Sequence, residues 1–282
     1  MTADGPIQRW SERVVRVLAS NPSPLTLEGT NTFVVAAPGA TGAAVIDPGP
    51  ALDEHAERVL ETVPGRRVEL VLLTHTHPDH AEGARRFAAR ASAPLAALNP
   101  AWASVEAPSL AAGAPLELAA AGIRLEPLPT PGHAADHCCF WLASERAMFT
   151  GDHVLGRGTT VIEWPSGDMR AYLHSLEALL DFDLERLYPG HGPPVGLPPA
   201  AAPDAARAKV REYIDHRHLR ESQVLAALAA GDQTPAAVVA RVYADVDPVL
   251  HPAAELSVRA HLAKLVAEGR VRSADGDRYL PV

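Results

Sequence analysis

Residues 72–83 read LLTHTHPDHAEG, and the six positions from His75 to His80 hold three histidines and an aspartate directly behind an apolar run. Histidine is the commonest metal ligand, and aspartate joins it readily at zinc. The apolar stretch ends at Thr74, so these donors emerge where a strand meets a loop, the usual place for a site in a sheet protein. His75 and His77 are two apart and project to the same side of an extended chain. Asp79 and His80 fall at the turn into the next helix and point elsewhere. One short motif therefore offers two ligand pairs, which predicts two neighbouring metals rather than one.

Two pairs cannot hold two zincs, and the missing donors come later, each after another apolar run. LEPLPTPGH delivers His133 on a Pro-Gly turn, AMFTGD delivers Asp152, and LYPGHG delivers His191 on a second Pro-Gly turn. Small turn residues beside a ligand fix its backbone and let a metal approach closely. Seven donors are too many for one tetrahedral zinc but suit two zincs that share a carboxylate and keep a position open for water. Packing alone gives no reason for this placement. His55, His174, His216, His218, His251 and His261, by contrast, lie in or beside helical patterns and are expected to be solvated or satisfied in the core.

Short apolar runs alternate with helical patterns from Val14 to about Val195, the texture of a mixed α/β domain. RVVRVLAS, TNTFVVAA and GAAVIDPG read as strands, LDEHAERVLETV as an amphipathic helix and VELVLLT as a buried strand. EGARRFAARA and MRAYLHSLEALLDF are further helices, while PLAAL, PLELA, IRLEPL, HCCFWL, RAMFT and LERLYPGHG supply further strands. A Pro/Gly/Ala-rich linker at 192–206 sets the expected domain boundary, 1–200 and 201–282. The last part reads as three helices and a hairpin around Asp275-Gly276-Asp277, a winged-helix pattern.

Composition narrows the function classes. A formal charge of −9 argues against a chain that coats itself in nucleic acid or anionic lipid. From Pro203 onward there are eleven Lys/Arg and eleven Asp/Glu, so the first domain carries the whole deficit. Arg259, Lys264, Arg270, Arg272 and Arg278 offer a modest basic patch on the third helix and wing. Cys138 and Cys139 are sequence neighbours in an apolar run and read as reduced strand residues. No leader and no membrane-spanning run is visible, so a cytoplasmic protein without membrane attachment is expected. A homodimer is compatible with all of this.

The motif HTHPDH, with PGH at 131–133, GD at 151–152 and PGHG at 189–192, resembles the signature of metallo-β-lactamase-fold hydrolases. NPSPLTLEGTNTFVV, GTTVIE, YPGHGP and YIDHRHLRESQVL, with the wing-like tail, are similar to the beta-lactamase-like protein 2 family over roughly residues 20–280. The resemblance implies a four-layer αββα metallo-β-lactamase sandwich followed by a small winged-helix-like C-terminal domain. It implies two Zn2+, with iron or manganese as alternatives, and cleavage of single-stranded RNA. Following the family's pattern as much as the spacing, His75, His77 and His133 take the first metal, Asp79, His80 and His191 the second, and Asp152 bridges. Asp47 is placed near the metals as support for ligand histidines. Thr30, Asn31, Thr159 and Thr160 are candidates for the substrate cleft.

Two metals ~3.5–4 Å apart that share a water lower its pKa toward ~7 and supply a bridging hydroxide at neutral pH. Asp79 and Asp152 are the carboxylates closest to that chemistry. Esters, thioesters and phosphodiesters all suit it, so the ligands do not choose the substrate. The leading expectation is a single-stranded RNA endonuclease. The alternative is a thioester hydrolase, of glyoxalase II type or acting on acyl-carrier thioesters. A mononuclear iron oxidoreductase at His75, His77 and His133 is a weaker one.

Overall fold

The computed structural model describes residues 5–111, 113–197, 202 and 204–282. The domain boundary expected at 200/201 lies outside the described residues, as do the first four positions of the segment read as leaderless. By compactness the chain divides into two units. One comprises the described parts of Met1–Thr130, Asp136–Gly158 and Asp183–Arg207. The other comprises Pro131–Ala135, Thr159–Phe182 and Ala208–Val282.

The first unit opens with six strands and three helices: β1 (Ile7–Arg9), β2 (Val14–Leu18), β3 (Asn31–Val35), β4 (Ala43–Ile46), α1 (Asp53–Thr62), β5 (Val68–Leu72), α2 (Pro78–Ala81), α3 (Ala84–Ala91) and β6 (Leu95–Ala96). These strands form one sheet in sequence order, antiparallel through β4 and parallel from β4 to β6. β7 (Leu116–Leu118), β8 (Ile123–Pro129), β9 (Cys138–Leu142), β10 (Ala147–Gly151) and β11 (Arg186–Pro189) form a second sheet, ordered β11-β10-β9-β8-β7. Its one parallel pair is β10–β11.

Period-2 alternation decides which side chains go where. Phe33, Val35, Ala44, Ile46, Leu70 and Leu72 from the first sheet meet Leu125, Phe140, Phe149 and Tyr188 from the second in one core. Their strand neighbours Val34, Val45, Val71 and Leu73 face the other way and are covered by Val59 and Leu60 of α1 and Phe87 of α3. Burying each such large apolar side chain is worth roughly 1.5–3 kcal/mol. Phe33 and Phe149 meet edge-on with centroids 5.1 Å apart, and Tyr188 lies 5.1 Å from Phe149. Buried Glu145 ties this core to the N-terminus, accepting from Ser11 Oγ at 2.6 Å and Tyr188 Oη at 3.0 Å.

Most strands and helices lie where the sequence places them. β1 was not foreseen, because IQR is too short to show alternation. α2 is a single turn whose start is set by Pro78 at its first position. Both cysteines are buried thiols in β9, and burial pushes Cys139 up to about 12.

The second unit holds α4 (Met169–Leu179), most of α5 (Ala205–Ala229), α6 (Pro235–Val242), α7 (His251–Ala267) and the hairpin β12 (Val271–Ala274)–β13 (Arg278–Pro281). Asp168 caps α4 through the Arg170 and Ala171 amides, and Thr234 caps α6, with Pro235 following it as expected. Val224, Leu228, Val238, Val239, Val258, Leu262, Leu265 and Val271 form the core of the helical module.

Three of the five cations of the basic patch expected on the third helix and wing are paired with carboxylates. Arg259 pairs with Asp277 at 2.6 Å and Glu255 at 2.7 Å, while Lys264 and Arg270 both reach Glu221, at 2.6 and 2.7 Å. His261 also departs from expectation. It is fully buried, and neither ring nitrogen has a hydrogen-bond partner among the described residues. Burial, with Arg217 and Lys264 nearby, pulls it down to about 3. His55 is half satisfied: Nε2 lies 2.8 Å from Thr32 Oγ1, while Nδ1 is buried with no hydrogen-bond partner among the described residues.

Candidate metal centre

The two parallel strands β4 and β5 end side by side, and the site starts there. Asp47 follows β4 with φ +50°, a left-handed turn that an aspartate tolerates better than most residues. Its carboxylate accepts from the Thr74 amide at 2.8 Å and the Thr74 hydroxyl at 2.7 Å, both just past β5. It also accepts from His80 Nδ1 at 2.9 Å. One side chain thus pins the loop carrying His75 and His77 and the helix carrying His80.

His75, His80 and His191 each have a partner on Nδ1, and that partner fixes which nitrogen is left for a ligand. With its proton committed to Asp47, the Thr74 hydroxyl accepts from His75 Nδ1 at 3.1 Å. His75 Nε2 then lies 3.1 Å from His77 Nδ1. Asp47 holds His80 Nδ1, so Nε2 faces inward. His191 Nδ1 donates to Gly29 O at 3.1 Å, turning its Nε2 inward as well.

Four groups converge where those inward nitrogens meet two carboxylates. His191 Nε2 lies 3.1 Å from Asp79 Oδ2 and 3.3 Å from Asp152 Oδ1. His80 Nε2 lies 3.3 Å from Asp152 Oδ1, 3.4 Å from Asp79 Oδ2 and 3.3 Å from His191 Nε2. All four ligand atoms fall within 4.8 Å of one another. Asp152 follows β10 and His191 follows β11, the parallel pair of the second sheet, so all four strands that meet here present their C-terminal ends. Gly190 makes the approach possible: a Cβ there would stand 2.7 Å from both Asp152 Oδ1 and His80 Cε1.

The charges are unbalanced in a way that suits a cation. Burial alone would push His80 down, but Asp152, Asp79 and Asp47 hold it well above the ordinary imidazole value. Burial likewise opposes the rise at His191, yet Asp152 and Asp79 raise it to about 9. Burial would raise Asp152, and His191 and His80 instead hold it well below the usual carboxylate range. Asp79 is lowered too, against burial, chiefly by His80 and His191. Without metal, protons on the two imidazoles offset only two of the three carboxylates Asp47, Asp79 and Asp152. A divalent cation would replace those protons, the usual linkage of metal binding to proton release. The donor set, imidazole nitrogen and carboxylate oxygen, fits zinc.

Of the other residues singled out, Asn31 is buried and donates from Nδ2 to Pro189 O and Gly192 O, both at 2.9 Å. It fastens the turn that carries His191. Thr30 bridges to His191 through the backbone and accepts from Asn21 Nδ2 at 3.0 Å. Both are built into the wall of the site. His133, Thr159 and Thr160 belong to the second unit. There His133 Nδ1 donates to Val161 O at 2.8 Å and lies 3.2 Å from Thr160 Oγ1. The sequence reading missed Thr74, Gly29 and Gly190. The first acts through a hydroxyl and the others through backbone or absent bulk, and none announces itself as a ligand.

Comparison with known proteins gives the family. The Metallo-beta-lactamase superfamily model matches residues 25–191, and the beta-lactamase associated winged helix domain matches 234–278. A beta-lactamase-like protein 2 homolog from Caenorhabditis elegans is 34% identical over 278 residues, covering 95% of this chain and 89% of that protein. Its counterpart from Drosophila melanogaster is 32% identical, covering 97% and 96%. An atrochrysone carboxyl ACP thioesterase from Aspergillus chevalieri is 36% identical over 229 residues, covering 80% of this chain and 69% of that protein. A metallo-beta-lactamase family protein from Thermus thermophilus shares the fold with a TM-score of 0.78 at 23% identity, covering 97% of this chain and all of that one. The chain belongs to the metallo-beta-lactamase superfamily, an α/β sandwich of two sheets with helices, and carries the winged-helix domain associated with it.

Proposed function

We propose that this protein is a two-zinc hydrolase whose substrate is single-stranded RNA. The observation that carries the metal part is the convergence of Asp79, His80, Asp152 and His191, whose donor atoms lie within 4.8 Å of one another. In this reading His75, His77 and His133 form a first group that would hold one metal, and Asp79, His80 and His191 a second group that would hold the other, with Asp152 shared. Divalent metals held there supply Lewis acidity toward a substrate oxygen and activate water for hydrolysis. The chain's own residues do the positioning. Asp47 fixes the Nδ1–H tautomer of His80 and, through Thr74, that of His75, while Gly29 O does the same for His191. A mononuclear iron oxidoreductase is disfavoured, since one metal at the first group would leave the complete second group without a role.

The RNA reading rests on the near full-length match to beta-lactamase-like protein 2 homologs, winged helix included. With it we place the boundary between catalytic and winged-helix-like domains at 200/201, between the two family matches. Among the described residues no helix is long and apolar enough to cross a membrane, in keeping with a cytoplasmic location. A thioester substrate is the second reading. The fungal relative named as an acyl-carrier thioesterase and the paired-off cations of the third helix and wing favour it.

Metal-quantified protein incubated with labelled single-stranded RNA, and in parallel with S-lactoylglutathione and an acyl-carrier thioester, separates the two. RNA cleavage that disappears in His75→Ala/His77→Ala supports the nuclease. Thioester turnover without RNA cleavage would transfer the chain to the thioesterases.

A further inference from the structure

His133 is the one proposed ligand carried by the second unit, and the contacts that fix it there belong to that unit. Ser175 of α4 donates its hydroxyl to Pro131 O at 2.8 Å, and the Asp168 amide donates to Gly132 O at 2.8 Å. Gly132 has φ +144°, and a Cβ on it would fall 2.3 Å from Tyr172 Cα, so the Pro-Gly turn is pressed onto α4. The ring itself is aimed by the loop at 159–162, through Val161 O and Thr160 Oγ1.

That loop is anchored in turn by the helices of the winged-helix side. Arg217 of α5, only 2% exposed, donates from Nη2 to Thr160 O at 2.6 Å. Its guanidinium also lies over the Tyr172 ring, 5.2 Å from the centroid. The Ile162 amide donates to Ser257 Oγ of α7 at 3.2 Å. A buried cation is costly to desolvate, and an aliphatic side chain of similar volume fills space at lower cost. What the arginine provides is a planar fork that can bond a carbonyl edge-on and stack on an aromatic face at once. Here the carbonyl belongs to the loop that aims His133, and the ring belongs to the helix that seats it.

We propose that Arg217 is a positioning residue for metal binding: by clamping the 159–162 loop to α4 it sets the orientation of His133. This rests on the assignment of His133 to the first metal.

The test is a Co(II) titration of the metal-free full chain, followed by absorption spectroscopy. Wild type, His133→Ala, Arg217→Met, Arg217→Lys and Ser257→Ala are compared, each checked for folding by circular dichroism. Wild type should take up two equivalents. Arg217→Met should keep one at wild-type affinity and weaken the other by about 10–100-fold, the usual range for partners that orient a ligand. The spectral component it loses should be the one lost in His133→Ala. Arg217→Lys should recover part of that affinity, and Ser257→Ala should show a smaller loss at the same site. If Arg217→Met does not fold, the Ser257→Ala result decides. Two equivalents bound at wild-type affinity in the folded variants, or equal weakening of both, would overturn the proposal. Fewer than two equivalents in wild type would instead remove the two-metal reading beneath it.

Discussion

Charge is handled in opposite ways in the two units. At the strand ends of the first, the carboxylates of Asp47, Asp79 and Asp152 gather on the imidazoles of His80 and His191. In the second, Arg259, Lys264 and Arg270 are each matched with a carboxylate. An exposed pair such as Arg259–Asp277 contributes little, about 0–1 kcal/mol, and leaves little net field. A buried cluster left with excess negative charge is a standing demand for a cation. The contrast fits a cation-demanding cluster at the strand ends of the first unit, whereas Arg259, Lys264 and Arg270 are tied to carboxylates of their own module.

The largest test of that contrast is His80→Ala or Asp152→Ala. Either should abolish hydrolysis, and Asp152→Ala should disturb both metals, measured as metal content per chain after dialysis; loss of one metal alone would refute its sharing. Gly190→Ala keeps every ligand but puts a methyl group against Asp152 and His80, so it should reduce metal uptake and turnover together while the fold persists by circular dichroism. Asp47→Ala should weaken metal affinity by ~10–100-fold, because His80 and the Thr74–His75 loop lose their common anchor. Wild-type affinity there would mean the hydrogen bonds are incidental. At the small end, Arg259→Ala should cost only about 0.2–1 kcal/mol in denaturant unfolding and leave metal content unchanged. If it also cut RNA binding sharply, the paired-off view of the winged-helix face would fail.

Proton linkage should separate the same two regions by pH. In the metal-free chain, His191 is raised to about 9, so its contribution to stability is complete below about 6.5 and is lost as pH rises through 9. His261 is shifted the other way, to about 3. Buried neutral, it adds no proton-linked cost above pH 6.5 and destabilises the fold progressively as pH falls from 6.5 toward 3. Replacing it with leucine should flatten stability over that acid window, followed by urea midpoints at several pH values. An unchanged slope would show that His261 takes up its proton without unfolding.

The donor residues that the fold gathers at the strand ends were legible because they follow apolar runs, as in VLLTHTHPDH or MFTGD. Asp47 was legible for the same reason. What surrounds them was not. Thr74 looks like the last residue of a strand, yet its hydroxyl relays Asp47 to His75. Gly29 contributes only a carbonyl, and any residue has one. The grouping of 131–135 and 159–182 with the winged-helix residues could not be read from a linear chain, since it depends on contacts between segments far apart in sequence. For Arg259, Lys264 and Arg270, residue type predicted part of a basic face, and only the geometry revealed that Asp277, Glu255 and Glu221 pair with them. The burial of His261 was hidden by its place in a helical pattern where a solvated histidine is the ordinary outcome.

The adjacent thiols of β9 have a use outside catalysis. Cys138 and Cys139 are the chain's two cysteines, both lie in the sheet unit, and burial keeps their thiolate forms scarce. A thiol reagent can therefore modify them only when that unit opens. Labelling kinetics would time the opening of the sheets while the cysteine-free winged-helix unit stays silent. The chain thus carries a stopwatch for one of its two halves, with which the hold of bound metal on the sheets can be clocked without adding a probe.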